Sequence, residues 1–94
     1  MKKEVYLTIL FDYYEKLLTE KDKECFKNYY FENLSLQEIS EHTGLSRNAI
    51  HKRLKKVEEE LIDFEEKLNL YKKEEQILSL IMDEDLRKKI SEIL

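Results

Sequence analysis

The sequence predicts an all-α fold built around a helix-turn-helix unit at residues 35–56. The chain of 94 residues has one glycine and no proline, so the residues that usually form tight turns and extended linkers are almost missing. Apolar residues recur at helical spacing along most of its length, which is the main sequence signal of amphipathic helices. A chain of this length closes one hydrophobic core, so residues 1–94 are predicted to form a single helical domain.

An N-terminal helix pair is predicted first. Residues 5–18 contain no helix breaker and carry an apolar stripe, which indicates the first helix. Thr19 is a typical N-cap for a second helix over residues 19–32, and Asp22 is placed so that its carboxylate reaches back to the helix start. The residues expected to be buried on these helices are Leu7, Leu10, Phe11, Tyr14, Leu17, Leu18, Phe26, Tyr29 and Tyr30.

The helix-turn-helix unit is the most specific part of the pattern. Ser35 and Glu38 form the Ser-x-x-Glu capping box of a third helix. This helix is expected to end at Gly44, because a left-handed backbone conformation costs least without a Cβ. Ser46 then caps a fourth helix, and Ser40 is the small residue expected where the helices cross. The buried wedge between these helices is expected to consist of Ile39, Leu45, Ile50 and Leu54.

The fourth helix is predicted to be long. From Ile50 onward the apolar residues alternate in steps of four and three, which is the seam of a coiled coil. This pattern predicts one helix over about residues 48–72, roughly 37 Å long. Residues 57–94 then form a long-helix extension and C-terminal helices, with a helical segment at 74–82 and a last helix capped by Asp83. The C-terminal part of the seam can pack within the chain or on a second subunit, and we expect a homodimer. The residues of this dimer seam are Leu61, Phe64, Leu68 and Tyr71.

The charge along the fourth helix changes sign. Residues 46–56 carry lysines and arginines without an acidic residue, whereas the charged residues of 57–66 are all acidic. At about 100° per residue, a helix with Ile50 and Leu54 facing inward points Asn48, Lys52 and Lys55 outward. Lysines there can neutralise phosphates, and an Asn or Arg side chain in the first turn can bind base edges. The candidate nucleic-acid contacts are Ser46, Arg47, Asn48, His51, Lys52, Lys55 and Lys56.

Several function classes are excluded by what the sequence lacks. The formal net charge of -4 argues against an indiscriminate nucleic-acid binder, because non-specific affinity comes from surplus Lys and Arg. There is no phosphate-binding loop or catalytic triad, and His42 and His51 have no partners at metal-ligand spacing. We therefore expect no enzymatic activity, no metal and no cofactor. No apolar run reaches the ~20 residues of a membrane span, and Cys25 is expected to be a small buried residue of a cytoplasmic protein.

A resemblance to a known family covers almost the whole chain. It is carried by residues 10–68, in which segments 10–18, 29–36 and 46–50 stand in the order expected of the YlxM family. These are small bacterial helix-turn-helix proteins associated with the signal recognition particle. The middle of the chain also resembles region 4 of bacterial sigma factors, in which a similar unit reads promoter DNA. The resemblance implies a sigma-region-4-like fold, with nucleic-acid contacts at Ser46, Arg47, Asn48, His51 and Lys52.

The sequence leaves two functions open. The resemblance implies a nucleic-acid-binding accessory or regulatory protein of the signal recognition particle pathway, with DNA or the particle's RNA as its ligand. The alternative is a protein-interaction module whose acidic stretch, residues 58–66, binds a basic surface such as that of the particle's GTPase. In that case the basic face is a solvated surface whose lysines pair with glutamates four residues further on.

Overall fold

The computed structural model describes residues 1–94 as six α-helices joined by short links. They are α1 (Lys3–Tyr14), α2 (Glu20–Tyr30), α3 (Leu36–Thr43), α4 (Arg47–Leu68), α5 (Leu70–Ser79) and α6 (Glu84–Ile93), with a 3-10 turn (Glu15–Leu17) after α1. α4 is the central helix, and α1, α2 and α3 all pack against it. None of the helices combines the length and the apolar composition that crossing a bilayer requires. The all-α prediction is confirmed.

Side-chain caps fix where α2 and α3 begin, as the sequence predicts. The Thr19 hydroxyl oxygen accepts a hydrogen bond from the backbone N–H of Asp22 at 3.2 Å. Ser35 and Glu38 each accept from the other's backbone N–H at 3.1 Å. Gly44 ends α3 with φ of 78°, the left-handed conformation that favours glycine. The second half of the capping box predicted at Asp22 is wrong, because that carboxylate instead contacts cations of α4.

The core lies between α4 and the two N-terminal helices. Val57 and Leu61 of α4 are fully buried in the same cluster as Phe11 of α1, whose ring stacks on that of Phe26 with centroids 4.7 Å apart. A second, smaller cluster beneath the helix-turn-helix has four buried members, Cys25, Ile39, Ile50 and Leu54. Full burial of one large apolar side chain stabilises a fold by about 1.5–3 kcal/mol. Helices α1 to α4 are therefore held together mainly by apolar packing.

Three side chains that the apolar pattern places in the core are exposed. Leu17 lies in the 3-10 turn, whose tighter winding rotates it away from the α1 stripe. Tyr29 is exposed because its neighbour Tyr30 takes the position against the core. Leu45 lies in the turn after α3, where it borders an open cavity of about 350 Å³ instead of filling it. The prediction of burial is wrong at these three positions.

α4 is shorter than the predicted helix over residues 48–72. It ends before Asn69, which adopts a left-handed conformation with φ of 55° that asparagine tolerates better than most residues. The buried Glu65 carboxylate accepts hydrogen bonds from the backbone N–H groups of Tyr71 and Lys72, each at 3.1 Å. These bonds satisfy free N–H groups in the first turn of α5, where a negative charge is also favoured by the helix dipole. The prediction of one continuous helix is therefore wrong.

Tyr14 of α1 joins the end of α4 to the start of α5. Its hydroxyl donates a hydrogen bond to the Glu65 carboxylate at 2.5 Å and accepts one from the backbone N–H of Leu70 at 3.1 Å. Burial, together with the hydrogen bond to Glu65, raises the pKa of Tyr14 to about 12. The neighbouring Tyr13 hydroxyl donates a hydrogen bond to Glu74 of α5. Polar bonds from α1 thus fix the direction in which α5 leaves α4.

Three of the four residues predicted as a dimer seam pack inside the chain. Leu61 is fully buried, and Phe64 and Tyr71 pack against the main core cluster. Leu68 is exposed. α5 contacts α1, while α6 packs on α5, and neither helix contains a buried residue. Most of the seam is therefore filled within one chain, which is the first of the two arrangements that the sequence allows.

Candidate nucleic-acid interface

The turn between α3 and α4 is held by side-chain hydrogen bonds. The Ser40 hydroxyl donates to the carbonyl oxygen of Leu45 at 2.6 Å. The Thr43 hydroxyl donates to the carbonyl oxygen of Ile39 at 2.8 Å and accepts from the backbone N–H of Leu45 at 3.3 Å. Ile39 before the turn and Ile50 after it are both buried. These contacts fix the direction of α4 and leave Arg47 and Asn48 of its first turn on the surface.

The first turn of α4 is open to solvent. Ser46 caps the helix, since its hydroxyl oxygen accepts a hydrogen bond from the backbone N–H of Ala49 at 3.1 Å. Arg47 and Asn48 follow it, and both are exposed. The positive end of the α4 dipole lies at the same place, where it stabilises an anion such as a phosphate. Arg and Asn side chains can also make paired hydrogen bonds to base edges, so this turn can contact both parts of a nucleic acid.

Three cations on this side of α4 have no carboxylate partner. Arg47, Lys52 and Lys55 are exposed, and none of them takes part in an ion pair. Glu59 lies four residues after Lys55, yet the two do not form the ion pair that this spacing allows. Free lysines of this kind can neutralise phosphates. We call the exposed residues Ser46, Arg47, Asn48, His51, Lys52 and Lys55 the α4 basic surface.

Lys56 differs from the other predicted contacts, because it is bound by the protein itself. Its ammonium nitrogen lies 3.1 Å from a carboxylate oxygen of Asp22 and 3.6 Å from one of Glu60. The hydrogen bond to Asp22 and the negative charges of both carboxylates raise the pKa of Lys56. Arg53 approaches the same carboxylate at 3.8 Å, and the Asp22 side chain is only 5% exposed. The sequence held a signal for this cluster, since Asp22 lies one helical turn before the buried Phe26 and shares its inward face.

The acidic stretch at residues 58–66 is largely occupied by contacts within the chain. Glu58, for example, accepts a hydrogen bond from the Tyr30 hydroxyl at 2.7 Å. Burial and this bond to Glu58 raise the pKa of Tyr30. The carboxylates that bind within the chain are Glu58, Glu60, Asp63 and Glu65, and those left exposed without a partner are Glu59 and Glu66. Free positive charge on α4 therefore exceeds free negative charge, although the sequence shows the opposite balance for the whole chain.

Comparison with known proteins gives one family, whose model is described as "Putative helix-turn-helix protein, YlxM / p13 like" and matches residues 1–93. A UPF0122 protein of Clostridium novyi is 44% identical over 78 residues, which are 83% of this chain and 68% of the relative. A UPF0122 protein of Oceanobacillus iheyensis is 44% identical over 75 residues, which are 80% of this chain and 71% of the relative.

The match to a UPF0122 protein of Clostridium botulinum is longer, with 40% identity over 93 residues, 97% of this chain and 85% of the relative. With a UPF0122 protein of a Thermoanaerobacter strain, by contrast, the matched segment is 80% of this chain and 64% of the relative. The chain thus spans about two thirds of the length of several curated relatives that it matches.

Proposed function

Because this chain belongs to the family of YlxM-like helix-turn-helix proteins, we propose that it is a nucleic-acid-binding protein with an accessory or regulatory role in the signal recognition particle pathway of the cytoplasm. The resemblance of residues 10–68 to a family associated with that particle supports the pathway. The ligand is the particle's RNA or duplex DNA. The proposed contacts are Ser46, Arg47, Asn48, His51, Lys52 and Lys55, with Lys56 as a weaker contact because Asp22 binds it.

The observation that carries this proposal is the set of unpaired cations on the α4 basic surface. Arg47, Lys52 and Lys55 point into solvent without a carboxylate partner, in a chain whose net charge is -4. A cation that stabilised the fold would be expected to contact a carboxylate, as Lys56 does. Positive charge that is left exposed beside a helix N-terminus is the arrangement that phosphate binding requires.

Fluorescence anisotropy tests the proposal directly. The full chain is titrated into labelled signal recognition particle RNA and, separately, duplex DNA from upstream of its own gene, at several salt concentrations. Each neutralised phosphate contributes about -0.9 to the slope of log affinity against log salt on duplex DNA, and about -0.7 on a single strand. We expect one of the two ligands to bind, with a salt slope that corresponds to several neutralised phosphates. No binding of either ligand at low salt would refute the proposal.

A pair of double variants shows whether the α4 basic surface is the contact. Lys52→Ala with Lys55→Ala should reduce the slope on duplex DNA by about 1.8, since two phosphate contacts are lost. Lys88→Ala with Lys89→Ala removes the same charge from exposed positions on α6 and should leave the slope unchanged. An equal reduction in both variants would mean that net charge, and not this surface, determines binding.

The alternative is a protein-interaction module that binds the particle's GTPase through the acidic stretch at residues 58–66. Only Glu59 and Glu66 of that stretch are exposed without a partner, so little free negative charge is available for docking. A pull-down with the purified GTPase distinguishes the two functions. Loss of capture by Glu59→Lys with Glu66→Lys, but not by Lys52→Ala with Lys55→Ala, would favour the protein-binding function.

A homodimer through Leu61, Phe64, Leu68 and Tyr71 stays a prediction. Leu68 is the one member of this seam that is exposed, so a dimer that uses all four requires α5 and α1 to separate first. Light scattering on the full chain gives the mass in solution. A monomer mass that persists as the protein concentration is raised would contradict the dimer.

A further inference from the structure

An exposed aromatic side chain lies next to the α4 basic surface. Tyr29 near the end of α2 is 40% exposed, and together with His51 and Lys55 of α4 it lines a cleft of about 110 Å³. Tyr30 and Glu58 line the same cleft. An aromatic ring, two basic side chains and a carboxylate therefore meet at one place on the surface.

Tyr29 belongs to neither apolar core cluster and is not among the side chains packed against one. Its one close ring contact is with Tyr30, edge-on at 5.1 Å. The other exposed aromatic ring, that of Phe31, also lies 6.1 Å from the buried Phe26 ring in the core. Tyr30 below Tyr29 is fixed, because it stacks on Phe26 at 4.3 Å and its hydroxyl is bonded to Glu58. The Tyr29 ring is thus presented to solvent on a rigid support.

We propose that an unpaired nucleobase of an RNA ligand stacks on the Tyr29 ring, while the phosphates that flank this base lie against His51 and Lys55. This inference rests on the proposed nucleic-acid function and names the kind of ligand that the same surface prefers. Proteins bind unpaired bases by stacking them on aromatic side chains, and charged side chains follow the backbone. In a duplex the faces of each base are covered by its neighbours, so this site selects loops, bulges and ends, which folded RNA commonly offers.

The carboxylate of Glu58 in the cleft favours a base over a phosphate as the group bound there. The Tyr30 hydroxyl donates a hydrogen bond to Oε2 of Glu58, whereas Oε1 of Glu58 has no hydrogen-bond partner in the chain. A carboxylate repels a phosphate but accepts hydrogen bonds from the amino group of a base. The phosphates are therefore directed to His51 and Lys55, and the base to the ring of Tyr29. An amino-bearing base such as adenine fits this arrangement.

The test compares two RNA hairpins with the same stem sequence, each closed by the same non-nucleotide linker in place of loop bases, one carrying a single bulged adenine and one fully paired. Stacking of one base strengthens binding by about fivefold to 140-fold. The full chain should therefore prefer the bulged hairpin, and Tyr29→Ala should reduce the affinity for it by that factor while binding of the paired hairpin is unchanged. Tyr29→Phe keeps the ring and should bind the bulged hairpin within about twofold of the wild type.

A fluorescent base locates the contact independently. When 2-aminopurine replaces the bulged adenine, stacking on Tyr29 should change its fluorescence on addition of the wild-type chain or Tyr29→Phe, but not of Tyr29→Ala. Circular dichroism of each variant checks that the helical fold is retained. A loss that is equal for the two hairpins, or equal for Tyr29→Ala and Tyr29→Phe, would overturn the stacking proposal.

Failure of this inference can be told apart from failure of the proposed function. If both hairpins bind equally well, with a salt slope that Lys52→Ala and Lys55→Ala reduce, the proposed function stands and base stacking is refuted. If neither hairpin binds at low salt, and the signal recognition particle RNA and duplex DNA do not bind either, both are refuted. Preference for the bulged hairpin that is lost only in Tyr29→Ala supports both.

Discussion

The two halves of α4 differ in what their charged side chains contact. In the first half, Arg47, Lys52 and Lys55 have no partner in the chain and point into solvent. In the second half, most carboxylates are bound, and Glu65 is buried beneath α5. Most carboxylates of the second half thus contribute contacts to the fold, whereas Arg47, Lys52 and Lys55 of the first half make no ion pair. A charged residue is therefore a candidate contact only where the fold leaves it without a partner, even if the sequence pattern favours it.

Removal of a bound carboxylate should have the largest effect on stability. Glu65→Ala leaves the backbone N–H groups of Tyr71 and Lys72 and the hydroxyl of Tyr14 without their acceptor. We expect the free energy of unfolding to fall by about 2–4 kcal/mol, because buried donors lose hydrogen bonds to a charged group. Urea unfolding measures this, and amide exchange should speed up in the first turn of α5. Glu66→Ala, one residue along and exposed, is the matched control and should cost less than about 0.5 kcal/mol.

The same bond predicts a loss of stability in alkaline solution. The pKa of Tyr14 is raised from 10.0 to about 12 in the fold, so the neutral hydroxyl is favoured when the chain is folded. This contribution to stability is fully present below pH 10 and is lost as the pH rises from 10 to about 12. Burial also raises the pKa values of Tyr13 and Tyr30, with the same sign. Urea unfolding of wild type and Tyr14→Phe across this range should therefore show a weaker pH dependence in the variant, and identical pH dependence would contradict the prediction.

Lys56 lies at the boundary between the two halves of α4, and its partner Asp22 can be substituted. Asp22→Asn removes the negative charge that Lys56 and Arg53 contact across the α2–α4 interface. The melting temperature should fall, but less than in Glu65→Ala, because the Lys56 side chain is largely exposed. The freed lysine should also make the salt slope on duplex DNA steeper by about 0.9, the value of one phosphate. If the slope stays constant while the melting temperature falls, Lys56 lies outside the interface.

The smallest effect on stability is expected where the effect on binding is largest. Lys52→Ala with Lys55→Ala removes two exposed charges that have no partner, so the free energy of unfolding should change by no more than about 0.5 kcal/mol. Thermal and urea unfolding check this on the same samples that are used for anisotropy. A clear loss of stability would mean that these lysines stabilise the fold, and the contrast between the two halves of α4 would disappear.

Much of the candidate interface could be predicted from local sequence. The caps at Thr19, Ser35 and Ser46 form as their side chains predict, because a cap involves residues only three positions apart. The turn at Gly44 forms for the same local reason. The apolar periodicity correctly places Ile50, Leu54 and Val57 in the core. The outward direction of the α4 basic surface follows from that inward face by helical geometry alone.

Contacts between residues distant in sequence could not be predicted in this way. The apolar steps continue through Tyr71 and favour one long helix, but α4 ends before Asn69 because Glu65 and Tyr14 bind the free N–H groups of α5. Tyr29 matches the apolar pattern as well as Tyr30 does, and which of them faces the core depends on where α2 meets α4. Lys56 matches the basic pattern, yet Asp22 binds it.

The sequence by itself determined the helical class, the capped starts of α2, α3, α4 and α6, the turn at Gly44 and the charge order along α4. The tertiary structure alone decided which charges are free, which aromatic ring is exposed and where α4 ends. The physical reason is the separation in sequence between the residues that interact. Capping and amphipathic periodicity depend on neighbours within about one helical turn, whereas burial and ion pairing depend on partners such as Tyr14 and Glu65, which are 51 residues apart and meet only in the folded chain.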